Sequence, residues 1–209
     1  MALAVHGWGG RTAQMAPLAR RLAAGGFRVI APELPGHAGG VKTDIKVAAA
    51  AVTAVVEDVG EPAVVVGHSF ASMVLRLAFH ETAPTRVALV APALDVSDAL
   101  EVFRQRLRLL PWASSGLRRR LEAWDPTLWP VLAANPTEQL AGAEVLLVHD
   151  PEDEDTPFLR SAELAAKRPR TSIVPIEGAG HSRILSDPKT LEIVAGFAAG
   201  LPVSDLHAA

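Results

Sequence analysis

A serine, a histidine and an aspartate can together activate a hydroxyl for attack on a carbonyl, and this chain carries candidates for all three. The run Val64-Val65-Val66-Gly67-His68-Ser69-Phe70-Ala71 reads as a buried strand ending in glycine, then a serine, then a helix that begins almost at once. A strand–turn–helix elbow of this kind lifts a serine Oγ clear of the sheet, where it can act as a nucleophile. Small residues flank such a serine because a larger side chain would clash with the neighbouring strand or helix. Ala71 stands where the pattern Gly-x-Ser-x-Gly has its last glycine. The candidate general base is His181, in Gly178-Ala179-Gly180-His181, after the last strand-like run and before the last helical one. Two glycines give that loop the tight turns needed to present an imidazole.

The residues alone leave the acid open. His149-Asp150-Pro151-Glu152-Asp153-Glu154-Asp155-Thr156-Pro157 follows the fifth strand-like run. A carboxylate here would hold the imidazole in its working tautomer and stabilise the imidazolium. So many carboxylates cannot share one buried site, so most must be solvated. Asp155 reads as the N-cap of a helix opening at Thr156-Pro157, and Asp150 sits nearest the strand end. Asp153 lies between them, and Asp95, just past the fourth strand, is an outside candidate. Acyl transfer also needs backbone N–H groups aimed at a developing oxyanion. With an elbow, one comes from the residue after the nucleophile, Phe70. The other comes from the loop after the His-Gly strand, which points to Trp8 in His6-Gly7-Trp8-Gly9-Gly10. No Gly-x-Gly-x-x-Gly or Walker pattern accompanies these glycines, so a nucleotide loop is not expected. His80 and His207 read as surface residues. His6, His37, His68 and His149 read as packing or loop-structuring partners, with His68 also a pocket candidate beside the nucleophile.

The elements that must position these groups alternate along the chain. Strand-like apolar runs fall at 3–5, 27–31, 63–66, 87–90, 145–148 and 172–176, with Pro175 marking the last as a strand end or an edge. Helical patterns cover 12–25, 43–60, 70–82, 156–167 and 187–199, the last opening on Asp187-Pro188 as cap and first turn. Alternation of this kind predicts a three-layer αβα fold with a mostly parallel sheet of about six strands. Its strand C-termini then lie on one rim, where ligands bind. Residues 93–142 break the rhythm without a strand. Leu100, Phe103, Leu107 and Leu110, then Leu117, Leu121 and Trp124, fall at helical spacing. Pro111, Pro126, Pro130 and Pro136 punctuate the segment. An excursion of this length is expected to be a helical lid inserted in one domain spanning 1–209. Of its aromatics, most should pack the lid onto the core. Trp112, Trp124 and Trp129 are the candidates for lining a small apolar acyl pocket. Arg118-Arg119-Arg120 reads as a solvated helix face.

Bulk properties agree with a small-molecule enzyme. The 209 residues are 49% hydrophobic, with net charge −3 and no cysteine. A nucleic-acid partner is not expected without a basic excess, and thiol chemistry and thiolate metal sites are excluded. No basic leader opens the chain, and no run reaches the ~20 apolar residues of a membrane span. A cytoplasmic protein with no membrane partner, metal or cofactor is therefore expected.

Together these pieces resemble the α/β-hydrolase superfamily across essentially the whole chain. The order Ser69, Asp153, His181 matches its Ser…Asp…His order. The family's acid loop often reads His-Gly-x-x-Asp-x-x-Val-Pro. Aligned on His149 and Pro157, the resemblance places the acid at Asp153, with Asp150 in place of the glycine. Glu33-Leu34-Pro35-Gly36-His37 is similar to its Asp-x-Pro-Gly-His loop, and Gly178-Ala179-Gly180-His181 to its Gly-x-Gly-His segment. Members usually carry two strands before the His-Gly strand. Met1 lies almost on that strand here, so the sheet should be shortened, with an exposed edge that invites a homodimer. The resemblance implies a serine hydrolase acting on an ester, thioester or related acyl substrate. A cofactor-free perhydrolase or C–C bond hydrolase is the alternative with the same triad, and a non-catalytic binding protein of this fold is the remoter one.

Overall fold

The computed structural model describes residues 1–37, 43–133, 140 and 142–206. His207, Pro136 and part of the 93–142 excursion lie outside them. Six strands pair in parallel: β1 (Ala2–Val5), β2 (Val29–Ile30), β3 (Val64–His68), β4 (Arg86–Val90), β5 (Glu144–His149) and β6 (Thr171–Pro175). Their order in the sheet is β2-β1-β3-β4-β5-β6. Among the described residues, the helices are α1 (Ala16–Ala24), α2 (Ile45–Val59), α3 (Ala71–Ala78), α4 (Val96–Arg106), α5 (Ala113–Trp124), α6 (Leu128–Ala133), α7 (Phe158–Lys167), α8 (Pro188–Ala198) and a short α9 (Val203–Leu206).

The strands read as unbroken apolar runs because both sheet faces are covered. Successive side chains point to opposite faces. Leu3, Val5, Val65, Leu89 and Leu147 therefore share one core with α2, α3, α6 and α7. Ala4, Val66, Val90 and Val148 share the other with α1 and α8. Chain order reverses direction at β1, which has β2 on one side and β3 on the other. A crevice opens at the carboxyl ends of such a pair. Gly7 and Trp8 leave β1 there, and Ser69 leaves β3.

Both sheet edges are modest. The expected strand over 27–31 pairs in register with β1 only through Val29 and Ile30, with the Arg28 carbonyl accepting from the Ala2 N–H just before them. Pro175 closes β6 at the opposite edge, where its missing N–H costs no ladder bond.

The excursion between β4 and β5 holds α4, α5 and α6. Leu128, Trp129 and Leu132 of α6 are buried in the core beside α2 and α3. The helical spacing read through Leu107 and Leu110 stops early. α4 ends at Arg106, and residues 105–112 are all exposed. Arg108 takes a left-handed φ of 52° there. Arg76 of α3, 1% exposed, donates to the carbonyls of Leu94 and Leu132, fastening the start of the excursion and α6 to α3. No helix among the described residues is long and apolar enough to cross a membrane.

Candidate active site

Ser69 sits in the turn between β3 and α3 with φ 52°, a left-handed conformation that costs an L-residue about 1–2 kcal/mol. Its surroundings hold it there. The Ser69 N–H donates to Val90 O at 3.0 Å. Its carbonyl accepts from the Ser72 N–H, the Ala93 N–H and the Ser72 hydroxyl, the last at 2.7 Å. Gly67 makes room for the turn, since a Cβ at that position would come within 2.5 Å of Leu75 Cδ1 and 3.4 Å of Ala71 Cβ.

His181 reaches the serine from the loop after β6. Its Nε2 lies 2.9 Å from Ser69 Oγ, and its Nδ1 lies 2.8 Å from Asp153 Oδ2. Asp153 has a fully buried side chain. Its Oδ1 accepts from the N–H groups of Asp155 and Thr156 at 2.7 and 3.0 Å, and its Oδ2 accepts from the Thr156 hydroxyl at 3.0 Å. Burial would raise its pKa, but hydrogen bonds from His149, His181 and the Thr156 backbone outweigh burial and hold it well below the carboxylate range. Asp153 is thus an ionised acceptor, which favours the His181 tautomer with its proton on Nδ1 and turns the lone pair of Nε2 toward Ser69 Oγ.

The competing acids have other partners. Asp150, 1% exposed, accepts from Gly180 N–H on one oxygen and from Glu152 N–H on the other, bracing the loop that carries His181. Asp155 does not cap α7: its side chain pairs with Arg106 of α4, and the N-cap residue is Pro157. Asp95 caps α4 through the Ser97 N–H at 2.7 Å. Reading the chain linearly also missed three groups around the acid. His149 Nε2 lies 3.2 Å from Asp153 Oδ2, and Ser161 Oγ lies 2.7 Å from His149 Nδ1. Thr156 is the third. The four-residue spacing of His149 and Asp153 was the available signal.

His68 lies under the histidine loop, with Nε2 2.9 Å from the His181 carbonyl. Burial pushes its pKa down to about 4, so at neutral pH it is an uncharged donor to that carbonyl. Trp8 is exposed, its ring edge-on to Phe70 and His37 at centroid distances of 5.1 and 5.3 Å. The backbone N–H groups of Trp8 and Phe70 have no hydrogen-bond acceptor among the described residues.

Above Ser69 opens a cavity of about 600 Å³, within the usual size of small-molecule sites. Met73, Leu94, Leu100, Leu121, Trp124 and Leu132 give it a mainly apolar wall, with Trp8, His68, Phe70 and His181 at the Ser69 end. Two expectations need correction. Trp129 is turned into the core, with Arg118 stacked 4.7 Å over its ring, and Trp112 points to solvent. Neither lines the cavity, and Trp124 is the only one of the three that does. Asp153, Asp155 and His181 bring ligand-type atoms within 4.8 Å of one another. Asp153 and His181 are hydrogen-bonded to each other there, and Arg106 engages Asp155.

A sequence model described as the alpha/beta hydrolase family matches residues 2–192. The chain belongs to the alpha/beta hydrolase family. No curated protein matches its sequence. Solved structures similar to this hydrolase include a carboxylesterase of the thaumarchaeon Nitrososphaera gargenis (TM-score 0.71, 19% identity, 98% of this chain and 91% of that one). A thermophilic esterase of Thermogutta terrifontis aligns with TM-score 0.64 and 19% identity over 99% and 90% of the two chains. A meta-cleavage product hydrolase of Pseudomonas fluorescens aligns with TM-score 0.67 and 15% identity over 95% and 90%. At these identities the likeness is one of fold.

Proposed function

We propose that this hydrolase cleaves acyl esters through a covalent acyl-enzyme on Ser69. The reading rests on one observation above all: the continuous hydrogen-bonded path from Ser69 Oγ through His181 to Asp153. His181 Nε2 takes the serine proton as Oγ attacks the substrate carbonyl. The Trp8 and Phe70 N–H groups receive the charge that develops on the carbonyl oxygen. Asp153 stabilises the imidazolium, which then protonates the departing alkoxide. Water, deprotonated by the same nitrogen, attacks the acyl-enzyme and releases the acid, returning Ser69 to its hydroxyl form. Helices α4 to α6 serve as the lid of the acyl site, with Trp124 on its wall.

A fluorophosphonate probe tests the nucleophile, since it should label the wild type and leave Ser69→Ala unlabelled. The p-nitrophenyl acyl esters test the substrate class. Each methylene buried in the apolar wall contributes ~0.8 kcal/mol, so kcat/KM should climb about fourfold per carbon until the cavity is filled. Labelling at Ser69 without turnover of any ester would move the reading to perhydrolase or C–C bond hydrolysis.

A further inference from the structure

The basic residues of this acidic chain are unevenly placed. Residues 103–121 hold six arginines, at 104, 106, 108, 118, 119 and 120, and no acidic residue, within a protein of net charge −3. The stretch folds as the end of α4, an exposed connection and most of α5. Leu107, Leu110 and Trp112 of the connection are 52%, 61% and 70% exposed. Three of the arginines are already engaged: Arg104 with Glu101, Arg106 with Asp155, and Arg118 with Glu122. Arg108, Arg119 and Arg120 are exposed, with no carboxylate in ion-pair range among the described residues. The left-handed φ of Arg108 adds to the argument. Glycine is the usual residue in that position after a helix, so a long cationic side chain is held at the tip at an energetic cost.

An apolar tip rich in leucine and tryptophan, ringed by unpaired arginines, has the composition of a segment that lies in a lipid interface. Tryptophan prefers that depth, and arginine is drawn to the negative surface of anionic bilayers. We propose that the α4–α5 tip docks this hydrolase reversibly on an anionic lipid surface. Leu107, Leu110 and Trp112 would enter the headgroup region, with Arg108, Arg119 and Arg120 facing the lipid phosphates. Such a surface contact requires no membrane-spanning segment. Phe103, Leu117 and Leu121, on the same two helices, line the cavity over Ser69, so docking brings an apolar reservoir next to the acyl site. Charge decides between this occupant and a second copy of the chain: a two-fold contact at the tip would set like charges against each other.

Flotation with vesicles tests the docking directly. Wild-type protein and Ser69→Ala should both float with phosphatidylcholine vesicles containing about one-third phosphatidylglycerol, and neither with phosphatidylcholine alone. Binding should weaken as salt rises. Each of Arg108→Gln, Arg119→Gln and Arg120→Gln should weaken it about fivefold, the equivalent of ~1 kcal/mol per arginine. The double variant Leu110→Ser/Trp112→Ser should abolish it. None of these five residues lines the cavity, so hydrolysis of a soluble ester should stay at the wild-type rate, which also shows that the variants fold. Docking does not depend on Ser69, so its result is independent of the ester-hydrolase reading. Equal flotation with neutral and anionic vesicles, no flotation with either, or unchanged binding by the tip variants would overturn the proposal. So would a concentration-dependent dimer that the tip variants abolish, which would assign the tip to a second copy.

Discussion

His149 and His181 meet at a single oxygen, Asp153 Oδ2, at 3.2 and 2.8 Å. Ser161 stands behind His149 at 2.7 Å, much as Ser69 stands before His181 at 2.9 Å. Asp153 thus has a second serine–imidazole pair on its far side. Both members of that pair are fully buried, His149 meeting the carboxylate and Ser161 meeting His149.

Replacing His149 by Phe removes one donor from Asp153. A depressed carboxylate pKa gives a contribution that is present at higher pH and lost as acid is added. Without the His149 donor the Asp153 pKa rises, so the midpoint of acid unfolding should move to higher pH. With the acid less firmly oriented, kcat should fall on the order of tenfold at neutral pH while KM changes little. His149→Gln, which retains a donor, should recover part of both effects. An acid-unfolding midpoint unchanged in the Phe variant would refute the coupling.

The acid itself is tested by comparing Asp153→Asn with Asp150→Asn. The first should cost roughly three to four orders of magnitude in kcat, since an amide cannot support the imidazolium or fix its tautomer. The second sacrifices one of the two carboxylate oxygens that brace Gly180 and Glu152. It should lower stability by about 1–3 kcal/mol, the cost of one unsatisfied buried group, with activity reduced far less than in Asp153→Asn. Equal losses in kcat would overturn the assignment.

The elbow is sensitive to one added methyl group. Gly67→Ala pushes against Leu75, whose terminal carbon lies 2.5 Å from the new Cβ, and overpacking of this kind costs ~1–3 kcal/mol. Shortening the neighbour in Gly67→Ala/Leu75→Val should return part of the lost stability in urea denaturation. Additive losses in the double variant would show that Leu75 is not the obstacle.

His68 should make the fold acid-sensitive before the carboxylates titrate. Its pKa is about 4 in the folded protein against an ordinary 6.5, so between those values the unfolded chain binds the extra proton. Stability therefore rises with pH across that window and is lost as pH falls. Between about pH 7 and pH 5 the loss should be roughly 2 kcal/mol. His68→Gln keeps a donor for the His181 carbonyl but does not titrate, so it should lose much less over the same interval. Parallel urea midpoints for the two proteins would contradict this.

What could be read from the chain was local. Ser69 was legible because strand, glycine, serine and helix follow one another within a few residues. His181 was legible because it closes the last loop. Asp153 needed the family's loop pattern, since Asp150, Asp153 and Asp155 differ mainly in their tertiary partners: Gly180, His181 and Arg106. For the same reason helical spacing did not reveal that Trp129 faces the core and Trp124 the cavity. Nor did the apolar run at 27–31 show that only two of its residues would pair in register with β1.

Arg76 ties two distant parts of the chain to the helix that follows Ser69. Burial lowers its pKa to about 10, so its guanidinium stays charged at neutral pH while gripping Leu94 and Leu132. Leu94 and Leu132 are thereby held to the helix that starts beside Ser69, so α4 to α6 share the stability of α3, and loss of the guanidinium would leave two carbonyls without this buried donor.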